Sequence, residues 1–403
     1  MKQHRLILLS ITALLSACGN GTKFDNLVHR LPMAKTAMFL DQDVVARTAT
    51  KSLERLMPFM QKDGIEDYVL SPATYSLAIA GLAAVSENFD HRAFGMIDAK
   101  ADVNAFLTSW NYEDRDDNEY DRKYTFFRAA VLHQQIGPTY AFDKEKQKQV
   151  STDYISTMVS TMENYRQDAD AFFKEKIGLN LKVPDLNLEG DAVATYGVLK
   201  MKDYVPNGLP HAAKPFHFKN GLSNTDAYVF AEENLPATLP YYRGENYQAF
   251  KVHIRSTQLL IVLPDVDVAL DQVDVTEAYV NLINSTNSAN AFGYIPFFHN
   301  RVEGIDLSTS FHDVITGSEV YMSKLLQEEV FNDLVIDAVI QSNDFEFNQH
   351  GVAGESITVI PTCGMSMPEG DDPLNLSVDR PFYAIALKDN FPLFVNKICH
   401  PGA

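Results

Sequence analysis

The rhythm of apolar positions divides the chain into a helical first part and a strand-rich second part. Across residues 40–61, Val44, Val45, Leu53, Leu56, Met57 and Met60 recur at helical spacing, and Gly64 follows. Positions three and four apart share one face of a helix, so this stretch predicts an amphipathic helix. Tyr68-Val69-Leu70 reads as a short strand. Ser71-Pro72 then supplies a helix start, with Ser capping free backbone N–H groups and Pro in the first turn. The apolar run 77–85 continues it as a largely buried helix. Residues 124–133 read as a strand and 169–182 as a helix. Beyond Val193 the segments 227–230, 250–254, 259–263, 334–340 and 382–387 are short, apolar or alternating, and bounded by turn residues, which is the signature of strands. Helices early and strands late predict an α+β protein. No internal repeat and no linker rich in Gly, Ser or Pro interrupts residues 40–403, which predicts a single domain there.

The first residues follow another logic. Lys2 and Arg5 precede the mostly apolar stretch 6–15, and Leu15-Ser16-Ala17-Cys18 ends it. A run this short does not span a bilayer as a mature helix and reads as a processing signal. Leu-Ser-Ala-Cys resembles a bacterial lipobox, which implies cleavage after residue 17 and lipidation of Cys18. Residues 1–17 are then a signal peptide and 18–39 a polar tether. Gly19 after the lipid-bearing Cys, in place of Asp, favours the outer membrane or cell surface over inner-membrane retention. Two cysteines remain, Cys363 and Cys399. Export permits them to pair, but the apolar surroundings of Cys399 favour a free buried thiol.

Composition sets limits without naming a function. Hydrophobic residues make up 46% of the 403, enough for a full-sized core. The net charge of −19 becomes −21 once Lys2 and Arg5 are removed. No basic stripe exists to displace counterions from phosphates, which argues against a nucleic-acid partner. The acidic run 113–119 reads as a solvated face. The eleven histidines show no His-x-x-x-His pair and no Cys-x-x-Cys accompanies them, so no metal site is expected. No phosphate loop or cofactor motif appears. Gly364-Met365-Ser366-Met367-Pro368 misses the nucleophile elbow Gly-x-Ser-x-Gly because Pro368 stands where the sharp turn needs glycine. These observations point away from an enzyme.

The informative region lies near the C-terminus. Phe345-Glu346-Phe347-Asn348 closes an alternating strand, and Asp379-Arg380-Pro381-Phe382 opens another. Between them run about thirty residues with little order of their own, a length usually reserved for function. Here the chain resembles the serpins. Asn348-Gln349-His350-Gly351 followed by small residues resembles the family's hinge, and Asp379-Arg380-Pro381-Phe382-Tyr383 its Asp-Arg-Pro-Phe segment. Leu393 to Pro401 resembles the family's closing segment. Upstream, Leu70-Ser71-Pro72-Ala73-Thr74-Tyr75-Ser76 resembles the start of its second helix, and Leu259-Leu260-Ile261-Val262-Leu263-Pro264 a strand ending in Leu-Pro; Lys214-Pro215-Phe216 also fits. These matches keep the family's order over residues 40–403. Gly197, Val205 and Gln341 depart from it, standing where the family has Asn, Trp and His.

The resemblance implies a serpin fold, with helices packed on three β-sheets and a long exposed reactive-centre loop. It implies an inhibitor of serine proteases that is cleaved as a suicide substrate, with its loop then inserting into a sheet. The hinge comprises Gly351, Val352, Ala353, Gly354, Glu355, Ser356, Ile357 and Thr358. Strand periodicity puts Val352, Gly354, Ser356, Thr358 and Ile360 on the inward face and Glu355 on the outward one, a phase that suits insertion. At about 1 kcal/mol net per hydrogen bond, insertion of residues 352–365 releases on the order of 10 kcal/mol, and Pro361 forfeits about 1–3 of it. Counting from Gly351 as in the family, the resemblance implies a scissile bond at Met365-Ser366, with Cys363 and Met367 as rivals. A Met before the bond suits elastase-like or subtilisin-like proteases. The resemblance also implies a monomer, and the acidic run where some serpins bind heparin predicts no heparin activation. The alternative is a non-inhibitory serpin-fold surface lipoprotein serving in binding or adhesion.

Overall fold

The computed structural model describes residues 42–62, 66–96, 124–134, 143–151, 155–161, 164–183, 192–205, 207–218, 221–311, 321, 323–326, 339–355 and 373–402. The signal peptide, Cys18, the tether, the acidic run, most of the strand expected at 334–340, and loop positions Ser356, Ile357, Thr358, Cys363, Met365 and Ser366 lie outside them.

Helix α1 (Gln42–Met60) buries Val45, Ala49, Leu53, Leu56, Met57 and Met60 along one stripe. After β1 (Tyr68–Leu70), α2 (Pro72–Val85) starts as the sequence indicates: the Ser71 side chain accepts from Thr74 N and Pro72 fills the first position. All but two residues of α2 are buried, because it lies beneath a sheet. There follow β2 (Tyr124–Gln134), α3 (Lys144–Ser151), β3 (Ile155–Thr161) and α4 (Tyr165–Ile177). Helix α4 begins and ends four or five residues before the expected 169–182. Gly178, in the left-handed region at φ 66°, closes it, as a residue without a Cβ readily does. Next come β4 (Ala192–Tyr204), β5 (His211–Phe218), β6 (Gly221–Ala231), β7 (Ala237–Arg243), β8 (Tyr247–Ile254) and β9 (Thr257–Pro264). The helix α5 (Val275–Asn284) is an addition to the strand-rich half; Asp274 caps it by accepting from Glu277 N. Strands β10 (Ser288–Pro296), β11 (Phe298–Asp306), β12 (Ile340–Asn348), β13 (Gly351–Glu355), β14 (Leu374–Asn375), β15 (Phe382–Lys388) and β16 (Phe391–Ile398) complete the described elements.

The strands form two hydrogen-bonded sheets. One holds six strands in the order β11-β12-β13-β4-β2-β3. The other follows the order β1-β16-β15-β9-β8-β7-β10-β6-β5, with β14 beside β10. The second and third of the three expected sheets are thus continuous, because β10 pairs with β7 through residues 288–291 and with β6 through 293–296. Between the two sheets lies an aromatic layer. Phe345 and Phe298 of the six-stranded sheet meet Phe394 and Phe382 of the other at ring-centroid distances of 4.8 and 6.0 Å. All four rings are buried, so each sheet presents one face to a shared core.

Candidate functional site

Gly351 to Glu355, five of the eight residues expected to form the hinge, lie in the six-stranded sheet. Strand β12 alternates, with Gln341, Asn343, Phe345 and Phe347 buried and the residues between them half-exposed. Gln349-His350 then turn the chain, with His350 N donating to Asn348 Oδ1 at 2.8 Å. Val205 N and Leu209 N donate to the carbonyls of His350 and Gln349, each at 2.7 Å, and clamp the turn. Gly351 follows at φ 127°, a region that favours glycine. A Cβ there would lie 2.4 Å from the Asp203 carbonyl oxygen.

From Gly351 the chain does not leave the sheet. Strand β13 runs antiparallel to β12 on one side and to β4 on the other, pairing Phe345↔Gly354↔Met201 and Asp344↔Glu355↔Lys200. Gly351–Glu355, near the start of the expected exposed loop, are therefore a central strand. At the far end Leu374–Asn375 pairs in parallel with β10, so the loop is shorter than the sequence suggests. Val352 and Gly354 are buried and Ala353 is half-exposed. A Cβ on Gly354 would stand 2.9 Å from Phe394 Cζ and 3.1 Å from Phe345 Cδ2. The aromatic layer therefore leaves room only for glycine at this position.

Below β13 the facing edges of β12 (residues 340–343) and β4 (residues 192–199) share no ladder with each other among the described residues. Both edges rest on α2. Gln341 Nε2 donates to Ser71 O and Thr74 Oγ1, and its Oε1 accepts from Ser71 N and Asn343 Nδ2. Opposite, a Cβ on Gly197 would lie 2.4 Å from Thr74 O, so glycine lets β4 touch the same helix turn. Asn343, fully buried, spends its Nδ2 on Val69 O and Gln341, and its Oδ1 accepts no hydrogen bond among the described residues. An empty acceptor in an apolar wall costs about 1–3 kcal/mol.

Two further groups fix the edges. Asp203 is fully buried, and its Oδ2 accepts from the backbone and hydroxyl groups of Ser256 and Thr257 at 2.8–2.9 Å. This ties the end of β4 to the β8–β9 turn. On the outer face, Asp344 takes His299 Nε2 at 2.7 Å and Arg301 Nη1 at 3.0 Å. The hydrogen bond to Asp344 raises His299 above its usual range, against the opposing effect of burial. Burial pushes the Asp344 carboxyl up, but His299 and Arg301 together hold it below the usual carboxylate range. Asp203 and Asn343 carry no local sequence signal, since their roles arise from partners 53 and 274 residues away.

Nothing in this geometry assembles a nucleophile and base, and among the described residues no cluster of three His, Cys, Asp or Glu side chains is placed to hold a metal. What the described residues offer is a short strand, Gly351–Glu355, held between β12 and β4, with the edges of those two strands beyond it sharing no ladder.

No family model matches the chain and no curated protein matches it in sequence. Solved structures do. A thermophilic serpin, Tengpin in its native state, matches with a TM-score of 0.63 at 16% identity, over 94% of this chain and 99% of its own. Serpin48 of the insect Tenebrio molitor matches at 0.60 and 14%, over 90% and 99%. Thyroxine-binding globulin in complex with thyroxine matches at 0.66 and 12%, over 90% and 100%. The chain has the serpin fold. Two of the segments that resemble serpin signatures meet in space. Arg380 Nε donates to Pro264 O at 2.9 Å and its Nη1 pairs with Asp379 at 2.6 Å, fixing Asp-Arg-Pro-Phe against the strand that ends in Leu-Pro. The departures also acquire reasons. Gln341 supplies the bridge between β12 and α2 with an amide, and Gly197 lets β4 approach α2 directly. Cys399 is half-exposed rather than buried.

Proposed function

We propose that this serpin-fold chain inhibits serine proteases by acting as a suicide substrate, and is not itself an enzyme. The protease cleaves at Met365-Ser366, and the freed segment extends β13 down the slot between β12 and β4. The observation that carries this reading is the position of β13. Its register is set on both sides, its inward positions are Val and Gly, and among the described residues the edges of β12 and β4 beyond it share no ladder. An added central strand satisfies backbone groups on both its edges, which makes insertion downhill. An unbranched Met before the bond suits an elastase-like or subtilisin-like protease. The chain acts as a monomer held at the outer membrane or cell surface through lipid on Cys18, without heparin.

Mixing the protein with a panel of elastase-like and subtilisin-like proteases and running a denaturing gel tests this reading. A covalent complex supports it. A cleaved band with no complex shows a non-inhibitory serpin-fold lipoprotein instead, a role in binding or adhesion that the match to thyroxine-binding globulin makes concrete.

A further inference from the structure

The outer face beside the hinge carries two opposite charges separated by one small residue. Ala353 stands in register between Glu346 of β12 and Lys202 of β4. Both neighbours lie on the outer face: Glu346 is half-exposed and Lys202 exposed. Among the described residues Glu346 makes no hydrogen bond or ion pair, and the Lys202 ammonium rests 4.8 Å from the centre of the Tyr204 ring. Between them lies a trough of about 390 Å³ lined by Lys202, Tyr204, Asn180, Arg301, Glu346 and Ala353. Strands in a sheet lie about 4.8 Å apart. The two backbones are thus about 10 Å apart, with only a methyl group between them.

Strands β12 and β4 both run antiparallel to β13 and are therefore parallel to each other. If β13 withdraws and the sheet closes, Glu346 and Lys202 come to the same level one strand spacing apart, near enough to form an ion pair. Insertion of the hinge breaks that pair and leaves the notch at Ala353. We propose that Lys202 and Glu346 are an electrostatic latch that favours the closed sheet and slows entry of the loop. The latch rests on the reading of β13 as the leading end of an inserting strand. It makes insertion depend on ionic strength: salt weakens the pair that holds the sheet shut, so salt favours the inserted hinge. His299 of β11 stands in register with Glu346 on the side of β12 away from Lys202, so it neighbours Glu346 whether the sheet is open or closed. Asp344 is held by His299 and Arg301, and Lys200 Nζ donates to Gly178 O.

The test is amide hydrogen exchange at Val352, Ala353 and Gly354 in the intact protein, which reads how often β13 leaves the sheet. Lys202→Glu replaces attraction by repulsion in the closed state. It should slow exchange at these amides roughly five- to tenfold, the usual scale for turning a cross-strand ion pair into a like-charge pair. The double variant Lys202→Glu with Glu346→Lys restores the pair in reverse and should return exchange to the original rate. The difference between the single variant and the parent should also shrink in 1 M salt, where screening acts within about 3 Å. Unchanged exchange in Lys202→Glu, or a double variant that stays slow, overturns the latch. Failure of the protease-trap reading is seen separately, as a nicked chain whose melting midpoint does not rise.

Discussion

Gly354→Val is the substitution that most selectively penalises loop insertion. In the inserted hinge the new Cβ would stand 2.9 and 3.0 Å from Cζ and Cε2 of Phe394 and 3.1 Å from Cδ2 of Phe345. Carbon atoms pack comfortably at about 3.5–4.0 Å. Neither ring has space to retreat, since both are fully buried and their centroids lie 4.8 Å apart. Overpacking a core of this kind costs about 1–3 kcal/mol, and valine brings two methyl groups beyond the Cβ, so the upper end applies. About 3 kcal/mol shifts the inserted-to-withdrawn ratio roughly a hundredfold. The cost falls only on the inserted state, because a withdrawn Gly354 leaves the aromatic layer. The assay is densitometry of a denaturing gel after reaction with a protease that the parent traps. The parent should end mainly as covalent complex, Gly354→Val mainly as cleaved chain, and Gly354→Ala between them. If Gly354→Val forms complex with the parent's yield, the hinge does not act through the position seen in β13.

The remaining predictions concern the slot's support and the core. Gln341→Ala removes the amide that joins β12 to Ser71 and Thr74 and strands buried groups on α2. It should lower stability by about 3 kcal/mol, read as a fall in the urea midpoint, and a change within half a kcal/mol would show that the amide network is dispensable. Lys251 donates to Asn390 Oδ1 at 3.2 Å, and burial lowers its pKa from 10.5 to about 8. Because the folded chain disfavours the ammonium, the penalty is full below pH 8 and disappears as pH rises to about 10.5. Lys251→Met should therefore stabilise the protein by about 2–3 kcal/mol at pH 7 and by much less at pH 10. Equal gains in urea titrations at the two pH values would refute the burial argument.

What could be read in the sequence depended on how far apart the interacting residues lie. The cap at Ser71 with Pro72 is a local device, and the helix begins there. The alternation of β12 is equally local, since one buried face enforces it. The end of α4 was misplaced because Gly178 stops the helix before the apolar pattern fades. Helix α5 was missed in a half of the chain read by strand rhythm, although Asp274 and Glu277 mark its start. The alternation of 351–355 is legible in the sequence, but nothing local shows that these residues already lie within a sheet. Their order comes from ladders with β12 and with β4, the latter about 150 residues earlier. Asn343 and Asp203 were invisible for the same reason.

Register arithmetic gives the most direct test. Since Glu355 pairs with Asp344 and Lys200, continuing the same ladder sets Ser356 between Asn343 and Leu199, and Thr358 between Gln341 and Gly197. The Ser356 hydroxyl would then face the empty Oδ1 acceptor of Asn343. The measurement is a crystal structure of the chain nicked at Met365-Ser366. Residues 356–360 paired in this register, with β12 and β4 spread apart around them, is the result expected of a protease trap. A nicked chain in which β13 still ends at Glu355 and the freed segment lies outside the sheet would contradict it.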